Sequence, residues 1–260
     1  MKTARNTVVA LALAVSLGAG MTACGGSTEN NAGPATAGSA SSAASPSASA
    51  DPTEELRAAA RKLGEQSSRA TMESSVLNSI TVLDPVKRVG HAKMTLSAGS
   101  TKMKMEVILL DTDVYLKIDG AGMPKKWMHA DAGQIKAGGS LDIVPKDDPA
   151  RVDGLINAVM DTERAADGTF TGTLDLSKAP TMTAGDLKAM GATTVPFTAK
   201  VDDQGRLVEM SMDMSKIQDG LGKMTTTYAD FGAPVTVAKP SASQVTEMPA
   251  DLLESMNKTA

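Results

Sequence analysis

His91-Ala92-Lys93-Met94-Thr95-Leu96-Ser97-Ala98, Lys102-Met103-Lys104-Met105-Glu106-Val107-Ile108-Leu109-Leu110 and Val114-Tyr115-Leu116-Lys117-Ile118 are the runs whose reading decides the fold. In the first, Ala92, Met94, Leu96 and Ala98 alternate with Lys93, Thr95 and Ser97. In the second, Met103, Met105, Val107 and Leu109 alternate with Lys102, Lys104 and Glu106. In the third, Val114, Leu116 and Ile118 flank Tyr115 and Lys117. Successive side chains of a strand point to opposite faces, so a period of two gives each run one apolar and one polar side. Gly99-Ser100 and Asp111-Thr112 separate the runs as turns. The spacing predicts three consecutive antiparallel strands.

The same pattern returns downstream. Val195, Phe197, Ala199 and Val201 alternate with Thr198, Lys200 and Asp202; Asp203-Gln204-Gly205 reads as a hairpin turn. Val208, Met210, Met212 and Met214 then alternate with Glu209, Ser211 and Asp213. Further β segments are expected over Met72 to Val82, over Lys126 to Met128, from Thr169 with Phe170, Leu174 and Leu176 on one face, and over Lys223 to Asp230. Helical spacing appears in Leu56, Ala59, Ala60 and Leu63, after a start in which Asp51 caps, Pro52 suits the first turn and Glu54 and Glu55 favour the positive helix end. That predicts a helix over Pro52 to Ser68. Others are expected over Ala150 to Met160, capped by Asp147-Asp148, over Thr183 to Met190, capped by Thr183, and over Glu247 to Met256. The resulting fold class is α+β: a large antiparallel sheet with helices on one face.

The N-terminal part reads differently. Lys2 and Arg5 precede an apolar run from Val8 to Leu17, then small residues lead to Met21-Thr22-Ala23-Cys24. The run is shorter than the roughly 20 apolar residues a spanning helix needs, so residues 1–23 read as a secretory signal. Its end resembles the lipobox of bacterial lipoproteins, which implies a diacylglycerol on Cys24, cleavage before it, and acylation of the new N-terminus. Two acyl chains suffice for stable anchoring. Cys24 is the only cysteine, so no intrachain disulfide can form, and lipidation accounts for it. Residues 24–50, made mostly of Ser, Ala, Gly, Thr and Asn, cannot bury enough apolar surface to offset ordering and read as a flexible tether. Residues 51–260 are expected to form one domain, held at the extracytoplasmic face of the cell membrane.

Composition narrows the function classes. The net charge of −4 and the lack of any dense Lys/Arg cluster along the chain give no support to nucleic-acid binding. Seventeen Met stand against three Phe, two Tyr and one Trp, so bulk comes from flexible thioethers rather than aromatic rings. Met-Ser-Met-Asp-Met could suggest Cu(I), but neither His91 nor His129 lies beside it, and burial of one strand face explains the spacing. There is no Gly-x-Ser-x-Gly elbow, no His-Glu-x-x-His and no free Cys after lipidation. No enzyme activity, cofactor or metal site is expected.

Asp113-Val114-Tyr115-Leu116-Lys117-Ile118 followed by Lys126-Trp127, the strand–turn–strand from Pro196 to Met214, and Thr225-Thr226-Thr227-Tyr228-Ala229-Asp230-Phe231-Gly232-Ala233-Pro234-Val235 resemble the LppX/LprAFG lipoprotein family of actinobacteria. The resemblance implies a half-barrel of curved antiparallel sheet packed on helices, similar to LolA and LolB carriers. It also implies a hydrophobic cavity for the acyl chains of an envelope lipid or glycolipid. The residues that would line it are Met94, Leu96, Met103, Met105, Val107 and Leu109; then Val114, Leu116 and Ile118; then Phe197, Val208, Met210, Met212 and Met214. Unbranched thioethers repack readily around a guest of variable shape. Two readings stay open: an anchored carrier of an amphiphile, or an envelope interaction protein whose methionines fill a closed core.

Overall fold

The computed structural model describes residues 51–99, 101–120, 123–135, 152–178, 193–217 and 221–257. The signal, Cys24, the tether, the helix expected over Thr183 to Met190 and the Asp147-Asp148 cap lie outside the described residues.

The molecule is mostly β. Among the described residues twelve strands form one sheet: β1 Ser68–Glu73, β2 Leu77–Asp84, β3 Val89–Ala98, β4 Thr101–Leu110, β5 Asp113–Asp119, β6 Trp127–Asp131, β7 Val159–Arg164, β8 Phe170–Asp175, β9 Thr194–Val201, β10 Leu207–Asp213, β11 Lys223–Ala229 and β12 Val245–Glu247. Their order is β12-β6-β5-β4-β3-β2-β1-β11-β10-β9-β8-β7. Two antiparallel meanders therefore meet where β1 pairs with β11. Among the described strands only β12 runs parallel to its neighbour, β6. Three helices are described: α1 Pro52–Glu65, α2 Val152–Ala158 and α3 Ala250–Met256. The expected antiparallel sheet is present, but the sheet is neither closed nor strongly curled and the helices are few, so the class is mostly β rather than a balanced α+β.

One face of the sheet is continuous. In register, Ala70 lies beside Thr81, Thr81 beside Ala92, Ala92 beside Val107, Val107 beside Leu116 and Leu116 beside Met128. On the other side Ala70 lies beside Tyr228. Met72, Thr226, Met210, Ala199 and Phe170 form the next row. Two apolar clusters cover this inner face. One joins Leu56, Ala59, Ala60 and Leu63 of α1 and Leu155 and Ile156 of α2 to β7–β11. The other joins β3–β6 to Met248, with Leu252 and Leu253 of α3 packed against it.

α1 forms as its sequence dictates. The Asp51 side chain accepts from the Thr53 amide at 2.9 Å, and the buried residues fall on one stripe. It stops at Glu65, earlier than expected, because Gln66 is extended and Ser67-Ser68 lead into β1. Arg57 fixes the packing of the two helices: its guanidinium donates to the Ile156 carbonyl at 3.1 Å and the Val159 carbonyl at 3.4 Å. These lie at the end of α2, where helical carbonyls lack partners and positive charge is favoured.

Several expectations need correction. The run Met72 to Val82 is not one strand. The Ser74 hydroxyl accepts from the amides of Val76 and Leu77 and turns the chain, giving β1 and β2. The helix expected over Ala150 to Met160 ends at Ala158, and the chain passes directly into β7. The C-terminal helix starts at Ala250, and Glu247 belongs to β12. A register shift between Leu207 and Glu209 leaves Val208 half-buried at a bulge and places Leu207 in the core in its stead. Met214 and Leu176 are buried but sit in 3-10 turns just beyond β10 and β8.

Candidate functional site

The residues expected to line one cavity divide between the two clusters. Phe197, Met210, Met212 and Met214 are buried with α1 and α2; the last three are each 2% exposed. Val107, Leu109, Val114, Leu116 and Ile118 are buried in the other cluster. Met94, Met103 and Met105 are only half-buried at its margin, and Leu96, outside the cluster, is half-buried too. Cross-strand register pairs Met94 with Met105 and Leu96 with Met103, so the open part of the apolar face is a patch on β3 and β4.

Beyond that patch lie β2 and β1. Their inner-face residues Ser79, Thr81, Ala70 and Met72 are all half-buried. The face is thus closed by helices at both flanks and less covered in the middle. Tyr228 borders this middle strip from the α1 side, where burial pushes its phenol up to about 12. It is a neutral hydrogen-bond donor at physiological pH. Ser79, Thr81 and Tyr228 give the strip hydroxyls and no charge.

The C-terminal segment encloses the β3–β6 half by passing over the other face. After β11 the chain crosses the outer side of the first meander to reach β6. Its path is fixed first at Ser67, whose carbonyl accepts from the Gly232 amide at 2.8 Å and whose hydroxyl donates to the Ala233 carbonyl at 2.6 Å. It is fixed again at Lys239, whose Nζ lies 5.6 Å from the Tyr115 ring centroid and 3.3 Å from Asp113 Oδ2. Ile108 and Tyr115 are buried although they sit on the face opposite the core.

A polar cluster then secures β12. His129 Nε2 lies 2.7 Å from Asp113 Oδ1, and Nδ1 lies 3.2 Å from Glu247 Oε1. The Tyr115 ring sits against the imidazole at a centroid distance of 5.0 Å. Partial burial pulls the His129 pKa down, but hydrogen bonds and charge from Asp113 and Glu247 outweigh this and hold it above 6.5. The His129 hydrogen bond holds the Asp113 carboxyl low against partial burial, helped by Lys239. Lys239 is raised by the Tyr115 side chain first and by Asp113 next. Both imidazole nitrogens face carboxylates, so the cluster is an ionic latch rather than a ligand set. Among the described residues no group of three His, Cys, Asp or Glu side chains is placed to hold a metal ion.

This latch escapes sequence reading because Asp113, His129, Lys239 and Glu247 lie far apart in the chain. One signal was available. Val107-Ile108-Leu109-Leu110 is apolar on both faces, which marks a strand covered on both sides.

No family model matches the chain, and no curated protein matches it in sequence. A solved structure described as an uncharacterized conserved protein from Thermus thermophilus matches with a TM-score of 0.38 and 11% identity, over 75% of this chain and 97% of that one. Among the described residues no helix is long and apolar enough to cross a membrane.

Proposed function

We propose that this chain is a lipid-anchored envelope protein that holds the apolar part of an amphiphile, a lipid or glycolipid, on the inner face of its sheet and carries it within the envelope. The observation that carries this reading is the half-buried thioether patch, Met94 with Met105 and Met103 with Leu96, between two helix-covered clusters. Each buried methylene of a guest contributes about 0.8 kcal/mol, so an acyl chain needs apolar length more than polar anchors. The uncharged hydroxyls of Ser79, Thr81 and Tyr228 beside the patch suit the neutral linkage region of such a molecule. The resemblance to LppX/LprAFG lipoproteins adds the finer expectation of an acyl-chain cargo, and the lipobox adds anchoring through Cys24.

The rival reading, a closed-core interaction protein, draws on the burial of Met210, Met212 and Met214 beneath α1 and α2. Native mass spectrometry of the chain purified from its own membranes separates the two. A bound lipid, reduced or lost in Met94→Glu with Met105→Glu, is the expected result. A chain that carries no lipid and takes up no acyl probe refutes carriage and leaves the rival standing.

A further inference from the structure

The outer face of the first meander carries a second feature, independent of any cargo. Register sets Lys93 beside Glu106 and Glu106 beside Lys117; one row further along lie Lys104 and Asp119, and beyond them Lys102. Lys125 and Lys126, both exposed, lead directly into Trp127, whose ring lies 5.8 Å from Lys117 Nζ. Ile80, 54% exposed, pairs with Lys93 at the margin. These lysines are dispersed between positions 93 and 126, and only the pleat brings them together.

Most cations elsewhere among the described residues are ion-paired, Arg61, Lys62 and Lys223 being the exceptions. Arg57, Arg69, Lys87, Arg88, Arg164, Lys178, Lys200, Arg206 and Lys239 all have a carboxylate partner. None of the lysines of this patch forms an ion pair among the described residues. Of the two acids within it, Glu106 is engaged by His91 at 3.3 Å. A chain of net charge −4 thus concentrates unneutralised positive charge on one flat area around its only tryptophan.

We propose that this area docks on an anionic lipid surface, with Trp127 at headgroup level and the lysines among the phosphates. Tryptophan favours the membrane–water interface, and lysines near an anionic leaflet are attracted as point charges. The patch holds no arginine, whose planar fork serves bidentate recognition of phosphate or carboxylate groups in nucleic-acid and acidic-protein sites. Its single aromatic ring and its flat sheet also lack the stacking series that single-stranded nucleic acids use.

The single tryptophan reports on its own docking. The full chain is reconstituted in phosphatidylcholine vesicles with and without phosphatidylglycerol, both containing brominated lipid, and Trp127 emission is followed. Quenching is expected only with phosphatidylglycerol and is expected to reverse at high salt, which shortens the screening length. Each lysine strengthens such contact about five-fold, so Lys102→Gln, Lys104→Gln and Lys126→Gln together lower the docked-to-free ratio roughly 100-fold. Lys178→Gln, Lys200→Gln and Lys223→Gln change net charge equally and are expected to keep docking. Quenching that ignores phosphatidylglycerol, a patch variant that docks like the parent, or a control variant that fails equally overturns the proposal.

Discussion

Replacing Met210 and Met105 by alanine, one at a time, separates a sealed core from an open face. Met210 is 2% exposed and packed in the cluster that includes α1 and α2. Its removal deletes buried methylenes and leaves a hole that helices and sheet close only in part, a loss of about 3 kcal/mol within the ~2–5 range for such changes. Met105 is half-buried at the edge of the other cluster. Roughly half of its transfer energy is at stake and no sealed cavity forms, so its loss costs about 1 kcal/mol. With a urea slope near 2 kcal/mol per molar, the midpoints fall by about 1.5 M and 0.5 M. Urea unfolding of delipidated protein measures both, and an unchanged slope shows that the native and unfolded states are otherwise comparable. Equal losses at the two sites refute the distinction between closed and open parts of the face, and with it the placement of the guest on β3 and β4.

Other perturbations test separate features. The His129 latch has a definite sign: a pKa held above 6.5 in the folded state contributes stability that is full below 6.5 and lost as pH rises through the folded value. Asp113, held below 3.8, contributes above that value and loses its share as pH falls through its folded pKa. Urea midpoints across the neutral range are therefore expected to fall with rising pH in the parent and to flatten in His129→Gln. Gly172→Ala is expected to destabilise by about 1–3 kcal/mol, since a Cβ there meets the Met160 carbonyl oxygen and a Phe197 ring carbon, each at 2.8 Å; thermal unfolding reads it. Among the described residues Thr162 Oγ1 is buried without a hydrogen-bond partner. Thr162→Val, which keeps the shape and removes the unsatisfied hydroxyl, is expected to stabilise by about 1 kcal/mol in the same assay.

Legibility in the sequence followed the contrast between the two faces of each strand. β3, β4 and β5 have an apolar side and a charged side, and their bounds were read to within a residue or two. β1 and β2 lie where the inner face is half-open, so Ser and Thr blur the alternation, and the serine turn between them contains neither Gly nor Pro. β7 was hidden because Val159 and Met160 extend the apolar spacing of α2 without a break. Asp161, in the left-handed region at φ 49°, then shifts the strand's register. β12 is three residues long and is held largely by groups distant in sequence. The methionine faces were visible in the alternation, but which of them a helix would cover was not, since that depends on where α1 and α2 dock. The lysine patch was invisible for the reason opposite to that for β3–β5: no local run announces it.

The position of β11 constrains how the molecule is assembled. β1–β6 and β7–β10 can each form from hairpins between neighbours, yet the two sheets share no border until residues 223–229 insert between β1 and β10. Arg69 and Asp230, joined at 2.8 Å, stand 161 residues apart in the chain. A nascent polypeptide must therefore carry two unfinished half-sheets with raw inner borders, exposed to mispairing, until its last quarter arrives to zip them together.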